Sequence, residues 1–241
     1  MSRITQRGVV APFTLFKTDT DTSLKTLVGS KWETSDGRQF TLVYNSSAGA
    51  IASGQAVQSP IIVPNHVNLT PTVTTYTGAI GTTKILVTLG NTAATANQYA
   101  GGYAIVSAGT GIGQTLKIES NPAADASATC LITLEDPILV ALDGTSRISL
   151  YLNPHYNVIA SVNTARVVGV TIAPLAASSY GFICNKGLVS CLNKSGTTVM
   201  LGLAPSTTSG ALQTVAATTH EVAMAAAAGT DGENAMVFIR V

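Results

Sequence analysis

Cys184 and Cys191 stand seven residues apart in the stretch YGFICNKGLVSCLNKSG, and no other pair in the chain is so readily turned to chemistry. Two cysteines can clasp a metal, close a disulfide, cycle as a redox couple or simply fill a core. If Lys186-Gly187 is a two-residue hairpin turn, Cys184 faces Val189 and Cys191 faces Phe182. The two then share a face diagonally, at roughly 7–8 Å. A disulfide requires Cα atoms within about 6.8 Å. A zinc site requires a second Cys or His pair at ligand spacing, and this stretch lacks one. The spacing predicts two small buried hydrophobes.

The remaining candidates are scattered. His66 stands in Pro64-Asn65-His66, His155 in Asn153-Pro154-His155-Tyr156, and His220 before an expected strand; none has a Ser/Asp partner fixed by spacing. Glu135-Asp136 is a carboxylate pair ahead of Pro137, able to share a proton or bind a cation, or to end a strand in a solvated loop. Gly109-x-Gly111-x-Gly113 precedes a strand pattern rather than a helix, which excludes a dinucleotide fingerprint. Gly81-Thr82-Thr83-Lys84 lacks the spacing of a phosphate loop, and Asp19-Thr20-Asp21 lacks the further oxygen ligands of a calcium loop. Trp32 and the tyrosines form no stacking ladder beside basic residues in the sequence, so single-stranded nucleic acid is not an expected partner. No catalytic, cofactor-binding or metal-ligating residue is expected, and the chain reads as a non-enzyme.

These residues sit in a chain of unusual balance. Charged residues make up 10% and the net charge is +1, so there is no basic field for nucleic acid and no acidic field for cations. Between Arg38 and Lys117 the only charge is Lys84. Such a stretch is either covered by other subunits or presents a polar, uncharged, solvated surface rich in Thr, Ser and Asn. No apolar run of signal-peptide length follows Met1, and no segment approaches the ~20 apolar residues of a spanning helix. The expectation is a protein made in a cytoplasm, without membrane contact and with reduced thiols.

The elements that must position these residues have a period of two. Phe40, Leu42 and Tyr44 alternate with Thr41 and Val43; Leu116 and Ile118 alternate with Thr115 and Lys117; Ile148 and Leu150 alternate with Arg147 and Ser149. These read as half-buried strands, and the fuller apolar runs 85–89, 103–106 and 131–134 as deeper ones. Turns at Asp36-Gly37, Thr77-Gly78, Gly109-Thr110-Gly111 and Asp143-Gly144 separate them. Residues 221–226 carry strong helix formers, yet they echo the segment at Val168 and lead into a strand at 234–241, so a strand is expected there.

The fold class is all-β: sandwich- or barrel-like domains of many short antiparallel strands with an extended N-terminal arm. Residues 1–28 form the arm, 29–160 a β-rich domain and 161–241 a C-terminal β module, separate from the second or continuous with it, and 66–160 are either a domain of their own or an insertion in a single sheet pair. Arg3, Arg7 and Lys17 alternate in the arm with the apolar anchors Val9, Val10, Phe13 and Phe16, a pattern suited to docking on a neighbour.

The stretches GRQFTLVYNSSAGAIASGQAV, YAGGYAIVSAGTGIGQTLKIESN, DPILVALDGTSRISLYLNPHYNVI and ARVVGVTIAPLAASSYGFICNKGLVSCL, followed by GLAPSTTSGALQTV, resemble virion structural proteins of tailed bacteriophages. The likeness is strongest to head decoration, or capsid cement, proteins, and covers residues 37–241 through glycine and alanine patterns. It implies a place on the outer capsid surface of the virion, the major capsid protein as partner, and a homotrimer that stabilises the lattice; it implies no cofactor. A tail or fibre component engaged in host attachment is the alternative with the same composition.

Overall fold

The computed structural model describes residues 18–21, 25, 27–194, 199–215 and 221–241. The expected docking arm, Arg3 to Lys17, and His220 lie outside the described residues. The described residues are nearly all β. In chain order the strands are β1 (Lys31–Glu33), β2 (Gln39–Asn45), β3 (Ala56–Gln58), β4 (Pro71–Thr72), β5 (Lys84–Thr88), β6 (Tyr103–Ala108), β7 (Thr115–Ser120) and β8 (Thr129–Leu134). There follow β9 (Arg147–Tyr151), β10 (Tyr156–Ala160), β11 (Val167–Thr171), β12 (Tyr180–Leu192), β13 (Gly202–Pro205), β14 (Leu212–Thr214), β15 (Ala223–Ala225) and β16 (Asn234–Arg240).

The chain divides into two compact units, residues 62–153 being inserted between 1–61 and 154–241. The sequence reading set a division at residue 160 and left 66–160 open as a domain or an insertion; the compact units meet at residues 61/62 and 153/154. Strands β2 and β3, before the insertion, hydrogen-bond to β10, β11 and β12 after it, so the sheet itself holds 29–61 and 161–241 together.

In the first unit β2, β10, β3, β11 and β12 pair in turn and β12 returns to β2, which closes a five-stranded barrel. Val43, Ile51, Val57, Val158, Val168, Leu175 and Ile183 fill it. Beyond the barrel β12 runs on to pair with β16, and β15, β13 and β14 complete a ten-stranded sheet. A second apolar layer, including Phe40, Cys184, Cys191, Leu203, Val237 and Ile239, packs on this extension. Strand β2 therefore has cover on both faces: Thr41 and Val43 are as buried as Phe40 and Leu42, where a half-buried strand was expected. The echo between segments 168–183 and 222–239 is structural, since β11–β12 and β15–β16 are both antiparallel pairs. The helix-forming alanines lie in and beside β15 because its neighbours β13 and β16 claim its backbone groups, and sheet pairing overrides local propensity.

The inserted unit is a six-stranded sheet in the order β4-β5-β8-β7-β6-β9, and a bridge between Leu69 and Ile148 links its two edges. Strands β5 to β8 alternate in burial, while in β9 Ser149 is buried along with Ile148 and Leu150. Ile85 and Val87, Ala104 and Val106, Leu116 and Ile118, Cys130 and Ile132, Ile148 and Leu150 point into one core. The runs expected to lie deep on both faces are thus one-sided: Leu86, Ile105 and Leu131 are only half-buried on the outer face.

Candidate functional site

The strand β12 overturns the hairpin reading of the cysteine stretch. Lys186-Gly187 is not a turn but the middle of a thirteen-residue strand, and Cys184 and Cys191 lie on one chain segment rather than across a turn. At the rise of an extended strand, about 3.3 Å per residue, they are roughly 23 Å apart, far beyond bonding distance. An odd spacing would normally put them on opposite faces. The register shifts between Cys184 and Lys186, where β2 passes from Phe40 to Gln39 while β12 advances two residues. That bulge restores the face, and both thiols enter the same apolar layer. All three cysteines are free and buried. Burial pushes the Cys184 thiol up to about 11 and the Cys191 thiol up to about 12, so both stay protonated at neutral pH.

The histidines take structural posts. His66 is wholly buried, its Nδ1 against the Tyr99 hydroxyl and its Nε2 2.8 Å from the Thr92 carbonyl. A carbonyl only accepts, so Nε2 carries the proton and Nδ1 accepts from Tyr99. His155 is pressed down to about 4, first by burial and then by the nearby positive charges of Lys31 and Arg166. Of the carboxylates Glu135 and Asp136, the first is engaged elsewhere. Glu135 forms an ion pair with Lys117 across β7 and the end of β8, at 3.2 Å. Among the described residues no three His, Cys, Asp or Glu side chains gather to hold a metal. The glycines 109, 111 and 113 adopt positive φ in the β6–β7 turn, and β7 follows directly, as the sequence pattern required.

The aromatic residues are a correction. Far apart in the sequence, they gather on the outer wall of the barrel: Tyr44 stacks on Tyr156 at 4.7 Å, Tyr180 leans on Tyr44 at 4.7 Å, and Trp32 meets Phe182 edge-on at 4.9 Å. The Lys25 ammonium lies 5.3 Å from the Tyr156 ring. Strands β1, β2, β10 and β12 bring these rings together, which no spacing in the sequence reveals. They cover Val28 and Leu42, and Tyr180 is buried among them.

Large apolar side chains stand exposed at several places on the described surface, Ile61–Ile62 and Val199–Leu201 among them, and two further places are built on paired strands and hydrogen-bonded loops. In the inserted unit the loops 73–82, 109–114 and 137–142 meet at one end and contain no charged residue. They present Tyr76, Ile80, Ile112 and Leu139 with exposures of 80%, 67%, 67% and 74%. This end is held firmly. The Gln114 carboxamide oxygen accepts from the Leu139 and Val140 amides, both at 3.0 Å, while its nitrogen donates to the Val140 carbonyl at 2.9 Å. The Ile138 and Leu142 amides donate to Thr82 and Gly78 at 2.9 and 2.8 Å. Beside the loops, Asp143 accepts from the Thr110 and Thr145 hydroxyls, both at 2.6 Å, and from the Thr145 amide at 2.8 Å; these bonds hold its carboxyl at about 2.

In the first unit the second half of β12 and β16 turn Leu188, Met236 and Phe238 outward, next to a groove of about 550 Å³ that reaches Phe40 and Ile172. The sequence marks neither surface by a motif. Its one available signal was the presence of large apolar residues inside Gly-rich turns, at Tyr76, Ile80 and Ile112. Comparison with protein-family models, with curated proteins and with solved structures returned no match to this chain.

Proposed function

We propose that this protein is a structural component of a phage particle that binds the outer capsid surface and stabilises the lattice of the major capsid protein. The observation that carries the reading is the uncharged loop end of residues 62–153, where four large apolar side chains stand exposed on hydrogen-bonded loops. A surface held in place before binding loses little conformational entropy when it docks, which favours adhesion over adaptable recognition. Low charge suits a flat, repeated contact, and the sequence resemblance to decoration proteins supplies the particle and, with it, copies of the same chain in a trimer. Binding only to the assembled lattice would stabilise that lattice by mass action at every occupied site.

The test is the copy number of this chain in purified particles, measured by quantitative mass spectrometry against the major capsid protein. A ratio of one to a small integer supports the reading. A handful of copies moves the protein to the tail or fibre, and absence from particles overturns both. Leu139→Asp with Ile112→Asp is expected to strip the protein from particles while its circular dichroism is unchanged. Removing residues 1–17, the basic and apolar arm, is expected to lower occupancy less steeply.

A further inference from the structure

A groove of about 550 Å³, within the size range of small-ligand sites, opens where β12 leaves β2 and goes on to pair with β16. Its apolar walls are Phe40, Ile172, Leu188, Val189 and Met236, of which Leu188 and Met236 remain 40% and 49% exposed. Three hydroxyls that border it are already engaged by the protein itself. Thr34 donates to the Asp36 carboxylate and Ser53 to the Ile172 carbonyl, while Thr171 donates to the Ala52 carbonyl and accepts from the Gln55 amide. The middle of the groove therefore suits hydrocarbon and offers a peptide backbone or a sugar no partner for its polar groups.

One end is cationic. Lys186 lies opposite Arg240 across β12 and β16 and opposite Gln39 across β12 and β2. Arg38, next to Gln39 in the chain, borders the groove and holds its guanidinium 5.5 Å from the Phe40 ring. Arg38 Nε donates to Asp36 at 2.7 Å, while its two terminal nitrogens have no partner among the described residues. Neither Lys186 nor Arg240 has an ion-pair partner there. The carboxylates that the register puts beside them are Asp36 and Glu33, the latter opposite Gln39 and bonded by its carboxamide. Three cations against two carboxylates leave one positive charge unbalanced. The other end of the groove is bordered by the neutral Ser190 and Asn234.

We propose that this groove binds a free single-chain amphiphile bearing one carboxylate, the head on Arg38 and the hydrocarbon tail along Leu188 and Met236 toward Ser190. A carboxylate meets the two open nitrogens of a guanidinium as a fork meets a fork, and a monoanion closes the local charge count. The four-residue advance from Lys186 to Ser190, about 13 Å of strand, sets the length of tail that the walls can cover. The inference does not rest on the capsid reading, whose surface belongs to the other unit.

Isothermal titration calorimetry of the full chain with octanoate, and with octanol as its uncharged counterpart, is the test. The expected result is one octanoate per chain, bound about tenfold or more tightly than octanol. From hexanoate to decanoate, all kept monomeric, the affinity is expected to rise about fourfold per added methylene. Arg38→Gln is expected to bring octanoate down to the level of octanol. Asp36→Asn, which removes the carboxylate competing for the same guanidinium, is expected to tighten octanoate several-fold and leave octanol unchanged. Leu188→Gln with Met236→Gln is expected to abolish both; should that variant fail to fold, the charge variants, at exposed positions, decide alone. No binding at about 1 mM ligand, octanoate held no more tightly than octanol, several molecules per chain, indifference to Arg38→Gln, or binding to anionic vesicles without binding of the monomer each overturns the proposal.

Discussion

The buried thiols behave as hydrocarbon with a sulfur atom. With Cys184 and Cys191 held protonated by burial and Cys130 also raised, a thiol reagent at pH 7.5 is expected to label none of the three in the native protein and all three in denaturant. Fast native labelling of any one would remove the core assignment. His155 makes the opposite kind of contribution, a liability at low pH. Its ordinary value of 6.5 falls to about 4 in the fold, so between those values the unfolded chain binds a proton that the folded chain refuses. Stability is then unaffected above 6.5, falls as the pH drops from 6.5 to about 4, and is level again below it, a loss on the order of 3 kcal/mol. Urea midpoints measured across this range are expected to decline less steeply in His155→Gln than in the parent.

At the scale of elements, β12 organises the first unit by belonging first to a closed barrel and then to an open sheet. The hand-over occurs at the bulge, where Gly187 takes φ +110° and a Cβ would come 2.7 Å from Cγ of Arg38 and 3.2 Å from its Cα. Gly187→Ala is expected to destabilise this unit by about 1–3 kcal/mol, seen as a lower urea midpoint with an unchanged slope. Gln114 performs an equivalent service for the inserted unit, with one side chain bridging two loops. Gln114→Ala is expected to speed hydrogen exchange at the Leu139 and Val140 amides several-fold while leaving β5 and β8 protected. Exchange rising equally everywhere would mean that the loops and the sheet open as one.

For the whole molecule, the decisive feature is that a unit with its own core is threaded into the chain between β3 and β10. Ile132 is fully buried in that core, and Ile132→Ala is expected to cost about 2–5 kcal/mol. If each unit unfolds cooperatively by itself, calorimetry will show one of two transitions move and the other stay; a single transition shifting as a whole would show that the units are energetically one. The same insertion explains why the domain boundary was not legible. Pro60 and Pro64 flank the first crossing and Pro154 the second, but no run of Gly or charge accompanies them, and prolines of this kind mark ordinary turns as often as domain boundaries.

Strand identity was legible wherever one face meets water, because alternation then writes the fold directly into the residue order: β5 to β8 carry it openly. So were turn glycines such as Gly37, Gly78, Gly109 and Gly111, while Gly187 proved to lie inside a strand. Other features depend on which strands become neighbours. The closure of β2 on β12, the two-sided burial of Thr41 and Val43, the gathering of Tyr44, Tyr156 and Tyr180, and the placing of Lys186 opposite Arg240 all pair residues far apart in the chain. Local periodicity carries no information about partners at such separations. The sequence determined that this chain would be strands; only the tertiary structure decided which faces are covered and which apolar residues are left showing, since exposure is set by neighbours far away in the chain.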